Sequence, residues 1–507
     1  MEYYAKSKKV QFTSERINEI KKTMKNIEEC LKENLTETDV EILNSSITDI
    51  AEKTEEKQKT LKEHHKDIVT CAEMFFLEYG EYFTEKEKKL VVEACRIHDL
   101  GKVNLVFQAM ICPKLAEKFH IDVRKTPQIP HGFLSAVTIS LDEFDDLSEL
   151  FSDKDFGPFI TAVYYHHDRE DHYNSPAIRK YAEKYYMKQI EEYLNRKIRK
   201  LNCSNLDDLL FRNNVYTGKY IPDSNAWKEY LLIKGLLNKF DYTVSAGYEN
   251  AESAIDLHEK KLVKNIEKFL NGKELRPAQK FMKMNTDKNL IVIAPTGSGK
   301  TEASLLWMNG EKSFYTLPLK VSSNAIYLRI KENYEYKDVA LLHSDAMAVY
   351  LREYNGNEDI GEKYERSKML SQPLTVCTVD QLFRFVYRAL GTEIFAATLK
   401  YSKLVLDEIQ AYEPRVIATI IYGLKMIQEM GGKFAIITAT FPPVLKYFME
   451  QYGLVEGKQY IFKDFTGKEY QVEKYPRHKV EIRHSEMNLD EIRLRGKNRK
   501  VLVICNT

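Results

Sequence analysis

Cysteine is scarce in this chain: seven residues, at positions 30, 71, 95, 112, 203, 377 and 505, include no CxxC pair. An odd, unpatterned set of this kind does not make a disulfide framework and reads as reduced thiols in a cytoplasmic compartment. Net charge is scarce too. Seventy-six basic residues face seventy-five acidic ones, for a balance of +1. No global basic field therefore draws in nucleic acid, and any such binding must come from local patches or a lined groove. Long apolar runs are missing as well: no stretch approaches bilayer length, and the opening Met-Glu-Tyr-Tyr-Ala-Lys has no apolar signal core. The expectation is a soluble intracellular protein with no membrane partner.

What is present exceeds one hydrophobic core. With 507 residues, 43% of them apolar, the chain should form several domains. Residues 1–60 are highly charged and helical in pattern, with Ile17, Ile20, Met24, Ile27 and Leu31, then Val40, Leu43, Ile47 and Ile50, stepping by threes and fours. They read as a helical hairpin lying on the next domain, with a partner-binding coiled coil as the alternative. Residues 61–248 keep a helical texture, including a charged helix over Ala182–Lys200 that ends in a basic run, Arg196–Lys200, and an apolar helix over Leu231–Ser245 that contains Asp241. Residues 249–274 form a linker, helical over Glu252–Lys268. Over 275–445 short apolar runs alternate with helices: Leu290–Ala294, Ser313–Leu317, Val339–Leu342, Leu374–Val379, Leu404–Leu406 and Phe434–Thr438. That is the signature of a parallel sheet covered on both faces. Residues 446–507 are less regular, with strand-like pieces at Tyr460–Phe465 and Lys479–Arg483, a basic run at Arg493–Lys500, and a closing strand over Lys500–Thr507. The fold class is multidomain: an all-α domain followed by an α/β parallel-sheet lobe.

The chemistry of the first half centres on Arg96-Ile97-His98-Asp99-Leu100-Gly101-Lys102, at the end of an apolar helix whose start has Thr84 and Glu87 at capping-box spacing. A buried carboxylate beside an imidazole is costly unless a cation compensates it. Eight of the twelve histidines fall between His64 and His172. Metal sites in helical bundles are assembled from several facing helices, and His64, His98-Asp99, His131, His166-His167 and Asp241 are spread as that requires. Asp99 can bridge two ions, with His64, His98 and Asp241 on one and His131, His166 and His167 on the other. Two divalent ions about 3.5–4 Å apart activate a water and stabilise the leaving oxygen of a phosphoester. So many imidazoles favour Mn, Fe, Co, Ni or Zn over magnesium. Lys102 is placed to contact a phosphate. His120 and His172 read as ordinary surface or core residues. Adjacent helical positions face about 100° apart, so one of His64 and His65 points inward.

The second half carries a phosphate-binding pattern. Leu290–Thr301 is strand, glycine-containing loop and helix, fitting [AG]-x4-GK-[ST] through Ala294, Pro295, Thr296, Gly297, Ser298, Gly299, Lys300 and Thr301. Backbone N–H groups at the glycines fold around phosphates, Lys300 reaches the terminal ones and Thr301 offers a hydroxyl to Mg2+. Lys403–Gln410 adds an apolar strand ending in Asp407, for the Mg2+ shell, and Glu408, to polarise the attacking water. Thr438-Ala439-Thr440 is placed to couple nucleotide to nucleic acid, and Gln279 stands where an adenine-reading amide would sit.

In this order, with Thr316-Leu317-Pro318 and Thr378-Val379-Asp380 between, the motifs resemble a superfamily 2 DExD/H helicase. An HD-type metal nuclease fused ahead of such a motor resembles the CRISPR-associated nuclease–helicases of type I systems, over about Leu61–Thr507. The resemblance places the family's first histidine on His64, its HD pair on His98 and Asp99, the next histidine on His131, the double histidine on His166 and His167, and the closing acid on Asp241. It implies an all-α HD domain, a RecA-like lobe and ATP with Mg2+. It further implies antiviral degradation of single-stranded DNA displaced by an RNA-guided type I surveillance complex, by a monomeric enzyme. Asp168 departs from the family pattern, standing where a small residue is usual. The expected second RecA-like lobe is reduced to a connector and one strand, which reads as a piece of a longer polypeptide. On that reading the chain cuts single-stranded DNA with Mn2+, Co2+ or Ni2+ independently of ATP and does not unwind duplex. Two competing readings remain: an HD phosphohydrolase acting on nucleotides, and a non-catalytic docking module that needs a second chain to supply the missing lobe.

Overall fold

The computed structural model describes residues 3–5, 59–139, 156–167, 175–198, 201, 225–253, 260–353, 360–470, 481–482, 484 and 487–503. The chain divides into a unit over Met1–Phe465 and a second over Thr466–Thr507. The first begins with helices α1 (Leu61–Tyr79), α2 (Glu85–Ile97), α3 (Leu105–Ile111), α4 (Pro113–Lys118), α5 (His131–Thr138), α6 (Phe156–Tyr164), α7 (Ser175–Tyr185), α8 (Met187–Leu194) and α9 (Asn225–Ser245). Both α1 and α2 start in full capping boxes, Thr60 with Glu63 and Thr84 with Glu87. Each box satisfies two of the N–H groups that a helix start leaves without partners. Helix α9 is buried along almost its whole length and on every face. It packs against α1, α2 and α6, which makes it the axis of the helical domain.

After α10 (Lys261–Leu270) and α11 (Pro277–Met284) comes the sheet. Its strands are β1 (Leu290–Ile293), β2 (Ser313–Leu317), β3 (Val339–Leu342), β4 (Leu374–Thr378), β5 (Lys403–Asp407), β6 (Lys433–Thr438) and β7 (Ile461–Asp464). They run parallel in the order β3-β4-β2-β5-β6-β1-β7. The covering helices are α12 (Lys300–Met308), α13 (Lys320–Glu332), α14 (Ala346–Glu353), α15 (Ile360–Lys368), α16 (Val379–Leu382), α17 (Glu393–Lys400), α18 (Pro414–Met430) and α19 (Pro443–Gln451). β1 to β5 are buried at every position, as the continuous apolar runs require. The fold class read from the sequence is the one observed. Among the described residues, no helix is long and apolar enough to cross a membrane.

Helical domain and sheet lobe share buried charges. Lys234 of α9 pairs with Glu393 of α17 at 2.8 Å, both side chains almost fully buried, and Tyr230 donates to the same carboxylate at 2.7 Å. A Cβ at Gly235 would stand 2.4 Å from the Glu393 carbonyl oxygen, so the two helices touch backbone to backbone there. One turn on, Lys239 meets Glu252 at 2.9 Å. Glu252 also pairs with Lys312, at the edge of β2, and accepts from the Tyr401 hydroxyl at 2.6 Å. The Met369 and Leu370 carbonyls accept further hydrogen bonds from these ammonium groups.

Several local readings change. Residues 6–58, with the expected hairpin, lie outside the described residues. Residues 3–5 are not helical: Tyr4 bridges Thr60 antiparallel, and Tyr3 is buried. The helix expected over 182–200 breaks at Tyr186, whose φ of −130° leaves the helical region. Its ring is fully buried and its hydroxyl meets Thr138, a tertiary contact that outweighs helical periodicity. Of the linker helix expected over 252–268, the described part starts at Lys261, Glu252 is drawn into the ion cluster, and residues 254–259 lie outside the described residues. In the second unit, α20 (Leu489–Gly496) is capped by Asn488. The strands expected over 479–483 and 500–507 do not form at the described positions 481–482 and 500–503; a strand needs a neighbour for its backbone N–H and C=O groups, and Leu502 is 84% exposed.

Candidate metal centre and nucleotide site

Helix α2 ends at His98, which caps it, and Asp99 follows at the start of a short 3-10 turn over Leu100–Val103. Gly101 lies so close to α5 that a Cβ there would stand 2.0 Å from the His131 carbonyl oxygen, and this approach seats His131 over Asp99. His64 comes from α1, His166 and His167 from the end of α6, and Asp241 from α9.

The Asp99 carboxylate is fully buried and its two oxygens serve two groups. Oδ1 faces His131 Nε2 at 3.2 Å and His166 Nε2 at 3.6 Å. Oδ2 faces His64 Nε2 and His98 Nε2, each at 3.4 Å, and Lys102 Nζ at 2.6 Å. His64 Nε2 is also 3.2 Å from Asp241 Oδ1, and Ser245 donates to that same oxygen. His98 and His166 are each oriented by the other ring nitrogen: Nδ1 lies 3.0 Å from the Cys95 carbonyl and 2.7 Å from the Val163 carbonyl. With those Nδ1 atoms protonated, both Nε2 lone pairs point into the centre, the usual device for a metal-ligating histidine.

The donor set fits divalent cations. Ligand atoms of Asp99, His131, His166 and His167 lie within 4.8 Å of one another, and so do those of His64, His98 and Asp99. His64 Nε2, His98 Nε2, Asp99 Oδ1, His131 Nε2 and His166 Nε2 are all buried without a hydrogen bond among the described residues. Leaving so many converging polar atoms unsatisfied costs roughly 1–3 kcal/mol each, and cations at the centre would satisfy them together.

The electrostatics agree. Burial alone would raise the Asp99 carboxyl, but His98, Lys102 and the approach of the His131 and His166 rings outweigh it and hold it well below the usual range. Asp241 is likewise held down, by His64 and His98 against its burial. Burial pushes His131 from 6.5 down to about 3, which keeps the imidazole neutral and ready to ligate. A pH dependence follows. His65 is also lowered to about 3, by burial and then by His98, and burial lowers His166. The unfolded chain binds these protons first, so their contribution to stability is complete above pH 6.5 and is lost as pH falls toward 3. Each such group costs about 1.4 kcal/mol per pH unit below its unfolded value, with His98, which Asp99 raises against its burial, offsetting part. In EDTA, the urea midpoint is expected to be lower at pH 5.5 than at pH 7.5; an unchanged or higher midpoint would contradict this.

Helical geometry alone did not decide between His64 and His65. His64 joins the cluster, and His65 lies beside it, its ring 5.9 Å from that of His98 and its Nδ1 3.2 Å from the Tyr193 hydroxyl. His120 sits apart, in a left-handed turn. Asp168 and His172 lie outside the described residues.

In the sheet lobe the loop after β1 turns through Gly297 and Gly299, at φ of 76° and 83°, into α12. Its helix starts at Lys300, whose ammonium pairs with Glu408. Gln279 brackets the loop: its Oε1 accepts from Arg276 N at 3.0 Å and its Nε2 donates to the Gly299 carbonyl at 3.3 Å. Asp407 accepts from the Tyr315 hydroxyl at 2.7 Å, and burial followed by the Glu408 charge pushes its carboxyl up to about 6. The Thr438 hydroxyl lies within hydrogen-bonding distance of the Glu408 carboxylate and the Gln410 amide oxygen, so the end of β6 is tied to the end of β5. Pro295, Thr296 and Ser298 complete the loop, and Thr301 follows Lys300 in the first turn of α12.

Family comparisons match both sites. Residues 51–224 match the "Cas3, HD domain" family and residues 276–448 the "DEAD/DEAH box helicase" family. The chain is similar to Cas3 proteins in both halves. It is 25% identical over 466 residues to the CRISPR-associated nuclease/helicase Cas3 of Methanothermobacter thermautotrophicus, covering 79% of this chain and 54% of that protein. It is 25% identical over 190 residues to the CRISPR-associated endonuclease/helicase Cas3 of Escherichia coli, covering 32% of this chain and 21% of that one. Among solved structures, that of T. fusca Cas3 superposes with a TM-score of 0.55 at 18% identity, covering 79% of this chain and 50% of the other. The chain thus spans about half the length of the first of these Cas3 relatives. Asp241 lies beyond the residues matched to the Cas3 HD family, on α9.

Proposed function

We propose that this chain is a metal-dependent nuclease for single-stranded DNA, coupled to an ATP-dependent helicase lobe and acting with an RNA-guided type I surveillance complex in antiviral defence. One observation carries the nuclease half: a single buried carboxylate, Asp99, is shared between two groups of imidazoles, and the Nε2 atoms of His98, His131 and His166 are buried with no hydrogen-bond partner among the described residues.

In this reading His64, His98, Asp99 and Asp241 hold one divalent ion, and Asp99, His131, His166 and His167 a second. When bound, the two ions supply an activated water and charge stabilisation for the leaving oxygen of a phosphodiester. The rest is the work of the chain's own groups. Asp99 would offer one oxygen to each group, Oδ2 on the side of His64 and His98 and Oδ1 on the side of His131 and His166. The Nδ1 contacts of His98 and His166 hold their rings in the ligating tautomer. Lys102, 2.6 Å from Asp99, supplies a positive charge beside the phosphate. In the sheet lobe Lys300 and Thr301 would hold the phosphates and Mg2+ of ATP, Asp407 would complete the Mg2+ shell, Glu408 would polarise water and Gln279 would read adenine.

The test is cleavage by the purified chain, without ATP, of circular single-stranded DNA, duplex DNA and a panel of nucleotides, each with Mn2+, Co2+, Ni2+ or EDTA. Metal-dependent degradation of the single-stranded circle is expected, with duplex and nucleotides left intact. Release of phosphate from nucleotides with the circle untouched would replace this reading with that of a nucleotide phosphohydrolase.

A further inference from the structure

Tyr315 is an interior residue of a central strand, and its ring is fully buried. A phenylalanine would fill that space as well, so the hydroxyl is not there for packing. In the parallel register Tyr315 lies opposite Val405 of β5, which puts it on the same sheet face as Asp407, two residues further along. The phenol donates to Asp407 Oδ2 at 2.7 Å. Thr301 and Ser304, from the start of α12, are close enough to the same phenol to act on its charge, and the buried Ser304 hydroxyl has no hydrogen-bond partner among the described residues. Asp407 Oδ1 is buried and has no hydrogen-bond partner among the described residues. One hydroxyl thus stands between the helix that follows the phosphate loop and the carboxylate at the end of β5.

We propose that Tyr315 is a positioning residue of the nucleotide site: its hydroxyl ties Asp407 to the start of α12 and turns Oδ1, not Oδ2, toward the Mg2+ of a bound nucleoside triphosphate. This rests on reading Lys300, Thr301 and Asp407 as the nucleotide site. A carboxylate oxygen engaged by a buried donor is withdrawn from the cation, and the other is fixed in one rotamer. Without the hydroxyl, Asp407 must be ordered by the metal itself, which weakens the metal and leaves metal-free contacts to the nucleotide untouched.

The experiment uses the full chain and a fluorescent ATP analogue at fixed concentration, with Mg2+ titrated from an EDTA baseline. Tyr315→Phe is expected to need roughly tenfold more Mg2+ for half-maximal binding, the weight of one hydrogen bond to a charged group. Its binding in EDTA should match that of the parent chain. Replacing Tyr315 by 4-aminophenylalanine, which restores a donor at the ring's end, should return the Mg2+ requirement to within about threefold of the parent, since the bond is re-made with a weaker donor. In the Asp407→Asn background, Tyr315→Phe should shift the requirement no further, because the two act through one oxygen. An unchanged Mg2+ requirement in Tyr315→Phe, an equal loss with and without Mg2+, or a phenylalanine chain that no longer folds would each overturn the positioning role. Failure of the parent to bind the analogue, or equal binding by Lys300→Ala, would overturn the nucleotide-site reading and this inference with it; a bound parent with an unresponsive Tyr315→Phe overturns this inference alone.

Discussion

Asp99→Asn is expected to abolish metal retention and lower single-stranded DNA cleavage far beyond the roughly 10–100-fold that loss of an outer-shell partner costs. Asparagine keeps the volume and shape of the side chain, so packing around it is preserved. What changes is the chemistry of two oxygens. One becomes an NH2 donor directed at ring nitrogens that offer lone pairs or, on the other side, at the Lys102 ammonium 2.6 Å away. Both ligand groups use Asp99, so both lose their shared anion in one substitution, whereas His64→Ala or His167→Ala removes a ligand from one group only. Cleavage assays, elemental analysis and a thermal melt separate the possibilities. A variant that folds, keeps its metal and cuts within tenfold of the parent would show that Asp99 is a core carboxylate and no bridge.

The second large effect lies between the domains. Glu252→Gln is expected to destabilise the chain by about 3–5 kcal/mol, the cost of leaving a buried charge without its partner. Here two ammonium groups, Lys239 and Lys312, lose one carboxylate, and Tyr401 loses its acceptor. Burial already pushes Lys312 down to about 8, against the pull of Glu252. Urea denaturation measures the loss. Glu456→Gln is the control: it breaks the pair with Lys446, whose side chains are 39% and 37% exposed, and should cost no more than about 1 kcal/mol. Equal, small effects from the two substitutions would mean that the buried cluster contributes no more than a surface pair. Because α9 carries Lys239 two residues from Asp241, the glutamine chain should also release metal more readily on dilution into EDTA.

How much of this could be read beforehand differs between the halves. The strands were legible because a sheet buried on both faces leaves no polar positions to blur its edges; β2 and β3 occupy the residues their apolar runs mark. The candidate metal centre drew attention in the sequence because imidazoles are rare and their concentration in one domain has few other uses. Their spacing along the chain names candidates, and the folded chain brings His64, His98, Asp99, His131, His166, His167 and Asp241 into one cluster. Three features were out of reach because each depends on a distant partner. Glu252 reads as one more charge in a linker until Lys239 and Lys312 are seen beside it. Tyr186 reads as helix until its ring is found in the core. Tyr315 reads as an apolar strand position, since nothing local says where its hydroxyl points. His65 shows the limit of periodicity itself: a neighbour on the same helix can stand beside a cluster without contributing to it.

Anomalous diffraction from crystals of the Mn2+-loaded chain, recorded on both sides of the manganese edge, examines the shared carboxylate most directly. Two peaks about 3.5–4 Å apart, one near each Asp99 oxygen, with His98 and His166 bound through Nε2, are the predicted result. A single peak away from Asp99, or none at saturating Mn2+, would contradict it.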